Sequence, residues 1–303
     1  MTVNILQRLS TVDIVTSACL VCPLWWNICK DPFMWRTIQI TKLNNNSHSD
    51  LLKICRYAID RSCGRLEEIE IKRFGTDDLL RYIAKNCSHL RYLGLVKCCE
   101  ISDEGLIEAA KQLPLLEELD ILFSYFTKDS LEVIGKSCPL LKSLKYNIGD
   151  NGDDIWYNEP FSFIKSMPQL RHLESRSDLL NGDELLSILD ECPLLESLDV
   201  EACDYLFLTG DELKRCRDQI KNLRLPFRYE DDFFYDDDTY FDSLGENSSD
   251  RSNLDYEDDY DLDDSDWGAI SGVDKRGYFY RLLGLLPSPR ENSDDSDHSE
   301  DDP

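Results

Sequence analysis

Twelve cysteines and four histidines are the side chains of this 303-residue sequence best suited to hold a metal or act as nucleophiles. Cys19, Cys22 and Cys29 lie close enough together to suggest zinc ligands. A closed zinc site needs four ligands in tetrahedral array, and no second pair lies at a finger-like distance. Cys19 and Cys22 also fall on one face of a helix, where cysteine is a common small core residue. Cys98-Cys99 reads the same way, one cysteine inside and one outside. His48, His89, His172 and His298 sit in no nucleophile or metal motif. Paired acids such as Asp77/Asp78 and Asp153/Asp154 fall at helix starts or in loops, where they suit the helix dipole and stay solvated. No glycine-rich phosphate loop occurs. The expectation is a non-catalytic protein with no catalytic residue, no cofactor and no metal, its cysteines reduced.

Charge and hydropathy narrow the partners. Lys plus Arg is 33 and Asp plus Glu is 60, a net charge of −27. Residues 229–303 hold 25 acidic and 5 basic side chains, so most of the excess belongs to that tail. A polyanion is repelled by nucleic acid and by anionic lipid, so neither is expected as a partner. No stretch approaches 18 consecutive apolar residues, and Met1-Thr2-Val3-Asn4 lacks the basic start of a secretory signal. The expected location is the cytoplasm or nucleus. A chain this long does not need disulfide staples.

The elements that would position any binding residue are set by a repeat. Seven segments match L-x-x-L-x-φ, where φ is usually apolar. They begin at Leu66, Leu90, Leu116, Leu141, Leu170, Leu195 and Ile220, spaced 24, 26, 25, 29, 25 and 25 residues apart. A degenerate eighth copy starts the array at Trp35-Arg-Thr-Ile38-Gln-Ile40. The spacers at 76–84, 102–110, 130–134 and 182–189 carry apolar residues at helical spacing, several opening with Ser, Thr or Asp and acids in the first turn. Each unit therefore reads as strand, loop, helix. One unit cannot bury both faces alone, and stacking neighbours closes a continuous core. Seven strands would give a concave sheet on the order of 30 Å long.

Cys87, Cys138 and Cys192 each stand three residues before a repeat's first leucine, and Cys98 and Cys203 three residues after the last apolar strand position. The stretch from Cys87 to Cys98-Cys-Glu-Ile101-Ser-Asp103-Glu-Gly105-Leu106 resembles the cysteine-containing subclass of leucine-rich repeats. The resemblance covers about Leu66 to Leu225.

The first 40 residues differ. Asn4 to Leu9 reads as a short amphipathic helix. Ser10-Thr-Val-Asp13 opens a second, expected to run toward Val21-Cys22 until Pro23 breaks it or starts the next. Ile5, Leu6, Arg8, Leu9, Asp13, Ile14, Val21, Cys22, Trp25, Asp31, Pro32, Trp35, Arg36 and Ile38 match the pattern of an F-box. With the repeats behind it, the chain resembles a plant-type F-box/leucine-rich-repeat protein. F-boxes usually begin with an L-P-x-[DE] segment ahead of this helix, and Met1 arrives too late to supply it, so the motif is expected to be incomplete at its start.

The resulting expectation is an α/β chain in three parts. Residues 1–40 form the helical F-box-like segment. Residues 41–228 form a right-handed leucine-rich-repeat solenoid, a horseshoe of about seven repeats. Residues 229–303 form a disordered acidic tail with an apolar island at 277–287. By resemblance the function is substrate recognition in an Skp–cullin–F-box ubiquitin ligase, with ubiquitin transfer left to another protein. Ile5, Leu6, Leu9, Ile14 and Val21 would bind the Skp adaptor, and through it cullin. Strand alternation would present Glu68, Glu70, Tyr92, Val96, Glu118, Asp120, Leu122, Lys145, His172, Arg176, Asp199 and Arg224 to an unidentified protein substrate on the concave face. Two alternatives remain: an acidic-tailed repeat protein that regulates basic nuclear proteins, and an activator of a small GTPase. Neither needs the F-box-like block.

Overall fold

The computed structural model describes residues 5–42, 47–124, 126–147, 161–176, 180–203 and 206–226. The chain divides into a unit Met1–Asp232 and a unit Phe233–Pro303, and the described residues all lie in the first. The acidic tail, its island at 277–287, His298 and the Asp153/Asp154 pair lie outside the described residues.

Among the described residues eight strands form one sheet: β1 Thr37–Thr41, β2 Glu68–Lys72, β3 Tyr92–Val96, β4 Glu118–Leu122, β5 Ser143–Asn147, β6 His172–Ser175, β7 Ser197–Asp199 and β8 Asn222–Arg224. They lie in chain order, all parallel. The degenerate copy at Trp35 is thus a true repeat. Its strand pairs in register with β2, Ile38 opposite Ile69 and Ile40 opposite Ile71. The expected domain boundary at 40/41 therefore falls inside β1, and with the degenerate copy included the described array has eight strands.

The repeat motif makes this stacking by simple geometry. The second leucine and the φ residue of each strand point inward: Ile69 and Ile71, Leu93 and Leu95, Leu119 and Ile121 are all nearly inaccessible. The residue after each first leucine turns its carbonyl toward the next repeat, where it accepts two backbone N–H groups. Arg91 O takes Glu117 N and Glu118 N at 2.8 and 2.9 Å, and Arg36, Glu67, Glu117, Lys142, Arg171 and Glu196 repeat the arrangement. Every added repeat thus satisfies polar groups that a lone unit would leave open.

The helices lie against the inward face. The two before the sheet are α1 Thr11–Thr16 and α2 Pro23–Cys29, and the repeat helices are α3 His48–Ser62, α4 Asp77–Asn86, α5 Asp103–Ala110, α6 Lys128–Ser137, α7 Gly182–Glu191 and α8 Gly210–Gln219. The side chains of Thr76, Ser102, Thr127, Asn181 and Thr209 cap the starts of α4 to α8. Asp77 does more than complement a dipole. Its carboxylate accepts Ser102 N at 2.8 Å and Ser102 Oγ at 2.7 Å, so the first turn of one helix holds the cap of the next.

The cysteine frame is a set of buried thiol donors. Cys87, Cys138 and Cys192 cap the ends of α4, α6 and α7. The Cys138 thiol donates to the Ala110 and Leu113 carbonyls at 3.7 Å, Cys192 to Met167 O at 3.7 Å, and Cys98 to Ile71 O at 3.4 Å. Each reaches back to the preceding repeat. Burial pushes Cys87 up to about 12, Cys138 to about 11 and Cys192 to about 12, so they remain protonated and able to donate.

Two local departures have visible causes. The second helix does not reach Val21. It ends at Thr16, whose Oγ1 bonds back to Val12 O at 2.8 Å, and a 3₁₀ turn over Ala18–Leu20 comes next. The 29-residue repeat carries Tyr146 at the φ position, fully buried against Phe163 and Phe161 with ring centroids 5.1 and 6.1 Å away. Among its described residues the helix-side element is a 3₁₀ turn, Ser162–Ser166. Gly135 of α6 lets this turn approach: a Cβ there would stand 2.9 Å from the Ser166 carbonyl oxygen.

Candidate functional site

Two surfaces carry the residues singled out in the sequence. The first is the helical segment ahead of β1. Trp35 anchors it. Its ring is buried, its Nε1 donates to Cys29 O at 2.8 Å, and it meets Tyr57 of α3 edge-on at 6.2 Å. Ser10 accepts Asp13 N at 3.1 Å and starts α1, which buries Thr11, Ile14 and Val15. Thr11 Oγ1 in turn accepts Gln39 N at 3.1 Å, fastening α1 to the first strand.

This packing separates the five expected adaptor residues. Ile5 is 51% exposed and Val21 61%, with Leu9 also exposed, whereas Leu6 is wholly buried and Ile14 nearly so. Leu6 and Ile14 are therefore corrected to core residues of the segment, since neither can touch a partner without unfolding it. Two accessible residues lie outside the expected set: Leu24 at 60% and Phe33 at 54%. A helical wheel could have found Leu24. Pro23 fixes the first turn of α2, and this seven-residue helix buries only Cys29. These five are half of the ten large apolar side chains exposed among the described residues, yet they fall within about 30 residues of the chain.

The second surface is the sheet face opposite the helices. Register sets its columns. Glu70, Gly94, Asp120, Lys145, Glu174, Asp199 and Arg224 stand side by side along the middle, and Glu68, Tyr92, Glu118, Ser143, His172 and Ser197 form the column before it. Val96 and Leu122 are neighbours on the far side, partly exposed. Glu68, Glu118, His172 and Arg224 are open to solvent, and Glu70, Tyr92, Lys145 and Asp199 are half-buried. Arg176 lies just past β6 and pairs with Glu174 at 3.3 Å.

Asp120 departs from expectation, for it is only 7% exposed. Tyr92 causes this. Its ring folds across Gly94, where a Cβ would meet the Tyr92 hydroxyl at 2.7 Å, and the hydroxyl donates to Asp120 Oδ2 at 3.0 Å. Asp120 is thus a supporting residue beneath Tyr92 and not an open contact. Its desolvation raises the carboxyl above the usual range, Lys145 at 3.9 Å and the Tyr92 bond oppose this, and Glu174 and Glu70 add to it. Burial and Asp120 together push the Tyr92 hydroxyl well above its ordinary value, so it stays a donor. Lys145 reaches Glu174 at 3.5 Å, and Arg224 bonds Asp199 at 3.1 Å and also Glu201.

Chemically the face offers carboxylates, cations and an aromatic ring for recognition. Among the described residues no group of three or more His, Cys, Asp or Glu side chains is placed to hold a metal ion. No described helix is long and apolar enough to cross a membrane.

Comparison with known proteins gives sequence relatives across most of the chain. No family model matches it. F-box protein SKIP19 of Arabidopsis thaliana is 42% identical over 231 residues, 75% of this chain and 74% of that protein. A second Arabidopsis thaliana protein, provisionally named F-box/LRR-repeat protein 23, is 44% identical over 233 residues. The match spans 75% of this chain but only about half, 51%, of that relative. F-box/LRR-repeat protein 22, also a provisional name, is 36% identical over 89% of this chain and 88% of its own length. Among solved structures, the yeast Rad7 and Elc1 complex aligns with 62% of this chain and 48% of the matched chain, at 17% identity and a TM-score of 0.45.

Proposed function

The chain belongs to the F-box/leucine-rich-repeat proteins of plants, and on that premise we propose that it is the substrate-recognition subunit of an Skp–cullin–F-box ubiquitin ligase. Its N-terminal segment binds the Skp adaptor and through it cullin, and the open sheet face holds a protein substrate. The observation that carries this reading is the uncovered apolar group Ile5, Leu9, Val21, Leu24 and Phe33 on a segment otherwise well packed against β1 and α3. Covering a half-exposed side chain of this size is worth on the order of 1 kcal/mol, so five supply a useful part of a binding free energy after association costs are met.

The chain itself forms no covalent intermediate on this reading. It supplies proximity, bringing substrate to a conjugating enzyme bound elsewhere on the ligase. Tyr92, Val96 and Leu122 are the apolar centre of the substrate face, and Glu68, Glu118, Lys145, His172 and Arg176 surround it with charge of both signs. Mixed charge around an apolar centre suits selection of one protein partner more than general adhesion. The site of action is the cytoplasm or nucleus, where thiols stay reduced.

Reconstitution tests this. The full chain, a purified plant Skp adaptor and the adaptor-binding part of a cullin are mixed and passed over a sizing column. Co-elution of all three supports the reading. Elution of the chain apart from an intact adaptor–cullin complex counts against it.

A further inference from the structure

The N-terminal part of the chain has the opposite charge to the repeats behind it. Residues 5–65 hold eight basic and four acidic side chains, a balance of +4, whereas residues 66–228 hold 20 basic and 31 acidic ones. Three of those cations gather at the end of α3, and all three rest on aromatic rings. Lys30 Nζ lies 5.0 Å from the centre of the Trp26 ring. Arg61, in the last turn of α3, is 5.6 Å from the same ring and 5.1 Å from that of Tyr57, whose hydroxyl accepts Arg61 Nε at 3.1 Å. Arg65, just beyond the helix, sits 4.8 Å over the exposed ring of Phe33.

Ring-stacked cations occur elsewhere too, with Lys97 over Phe123 at 5.1 Å and Arg56 over Tyr82 at 5.3 Å, but three arginines at repeat boundaries are paired differently. Arg36, Arg91 and Arg171 are each held by a glutamate across the repeat boundary, at 2.6, 2.9 and 2.6 Å. Among the described residues no carboxylate forms an ion pair with Lys30, Arg61 or Arg65. Nearby Asp31 accepts Phe33 N at 3.0 Å, and Asp60 takes the Tyr82 hydroxyl. A guanidinium or ammonium laid on a ring is fixed in position while its outer N–H groups stay available. These cations are therefore ordered but uncompensated, and they adjoin Phe33 and α2, which carries exposed Leu24.

An apolar centre with a cationic rim requires a partner with a matching acidic rim. Nucleic acid would also meet cations, but the chain as a whole carries a net charge of −27, which disfavours a polyanionic ligand. We propose that the protein surface docking on this end of the chain is acidic, and that the adaptor presents carboxylates to Lys30, Arg61 and Arg65 around the pocket that takes Leu24 and Phe33. This rests on the adaptor reading above and adds to it a charge rule for which adaptor is accepted.

The test is calorimetric titration of the full chain with a purified Skp adaptor at about 50 mM and about 300 mM NaCl, where screening differs strongly. Wild type is compared with Lys30→Glu/Arg65→Glu, both positions being exposed, and with the charge-preserving Lys30→Arg/Arg65→Lys. Unchanged circular dichroism and melting temperature establish that the variants fold. The expected result is that wild-type affinity falls about tenfold at the higher salt, that charge reversal costs at least about tenfold at low salt and flattens the salt dependence, and that the charge-preserving variant behaves as wild type. Adaptor binding that is equally tight and equally salt-sensitive in all three chains overturns this inference and leaves the adaptor reading standing. No adaptor binding by any of them overturns the adaptor reading, and the charge rule with it. Reversal that abolishes binding to a short duplex DNA but leaves adaptor affinity unchanged overturns the assignment to an acidic protein.

Discussion

Replacing Leu6 by alanine and replacing Val21 by alanine should have opposite consequences, although both residues belong to the same apolar pattern. Leu6 is wholly buried, whereas Val21 is 61% exposed. Leu6→Ala removes buried methyl groups and leaves a cavity. Substitutions of this kind cost about 3–5 kcal/mol where the site collapses poorly and nearer 2 where it relaxes. In a unit of this size about 3 kcal/mol lowers the melting temperature by about 6–12 °C. Val21→Ala deletes two methyls that are already mostly in water, so its cost is under about 0.5 kcal/mol, or a degree or two. Binding should reverse the order. At a temperature where both variants are folded, Leu6→Ala should bind the adaptor within about twofold of wild type, and Val21→Ala should lose about threefold to tenfold. Calorimetric melting and calorimetric titration of the full chain supply both numbers. A Leu6→Ala chain that melts like wild type but fails to bind would show that Leu6 faces the partner and that the division between core and contact residues is wrong.

Other perturbations probe other parts of the fold. Gly135→Ala should cost about 1–3 kcal/mol, because its Cβ would meet the Ser166 carbonyl oxygen at 2.9 Å and that oxygen is backbone; a thermal melt unchanged within error would contradict the close approach. Asp120→Asn should stabilise the chain at neutral pH. A carboxyl raised by burial binds its proton more tightly when folded, so its contribution is present below the ordinary carboxylate range and lost as pH rises through the raised value. The difference between variant and wild type should therefore shrink as pH falls below that range, and a variant less stable at neutral pH would refute the sign. Glu117 behaves in the opposite sense. Hydrogen bonding to Lys142, with its charge and that of Arg91, holds the carboxyl below its usual value, so its contribution is present above the ordinary value and lost as pH falls through the lowered one. Being solvated, it is worth under about 1 kcal/mol, and Glu117→Gln should change the neutral melt only slightly while softening the acid limb.

The repeats were legible because each states its own register. Leu93, Leu119 and Leu144 lie opposite one another for the reason that the same motif surrounds all three. Even the degenerate first copy could be read, since Trp35, Ile38 and Ile40 keep the inward positions. The cysteine frame was legible for the same reason, although the direction of each thiol, toward a carbonyl of the previous repeat, depends on a neighbour about 25–30 residues away. The division of the N-terminal residues was not legible. Leu6 and Val21 satisfy one apolar pattern equally, and only tertiary packing decides which is covered. Asp120 was placed on the right face by alternation but at the wrong depth. Its burial comes from Tyr92 crossing Gly94, an event that involves two strands and the absence of a side chain. The ring-stacked cations join residues such as Trp26 and Arg61, separated by more than a repeat, and no local pattern records that pairing.

The most direct test of the account is a titration of the full chain against a purified plant Skp adaptor, wild type beside Val21→Asp/Leu24→Asp. Both positions are exposed, so the variant should fold and melt as wild type does. Wild type is expected to bind one adaptor per chain. The two carboxylates, placed where apolar side chains should be covered, are expected to cost at least about 2 kcal/mol, roughly thirtyfold in Kd. Equal affinity of the two chains, or no heat of binding from a wild-type chain shown to be folded, would contradict the claim that this apolar segment is an adaptor-binding surface.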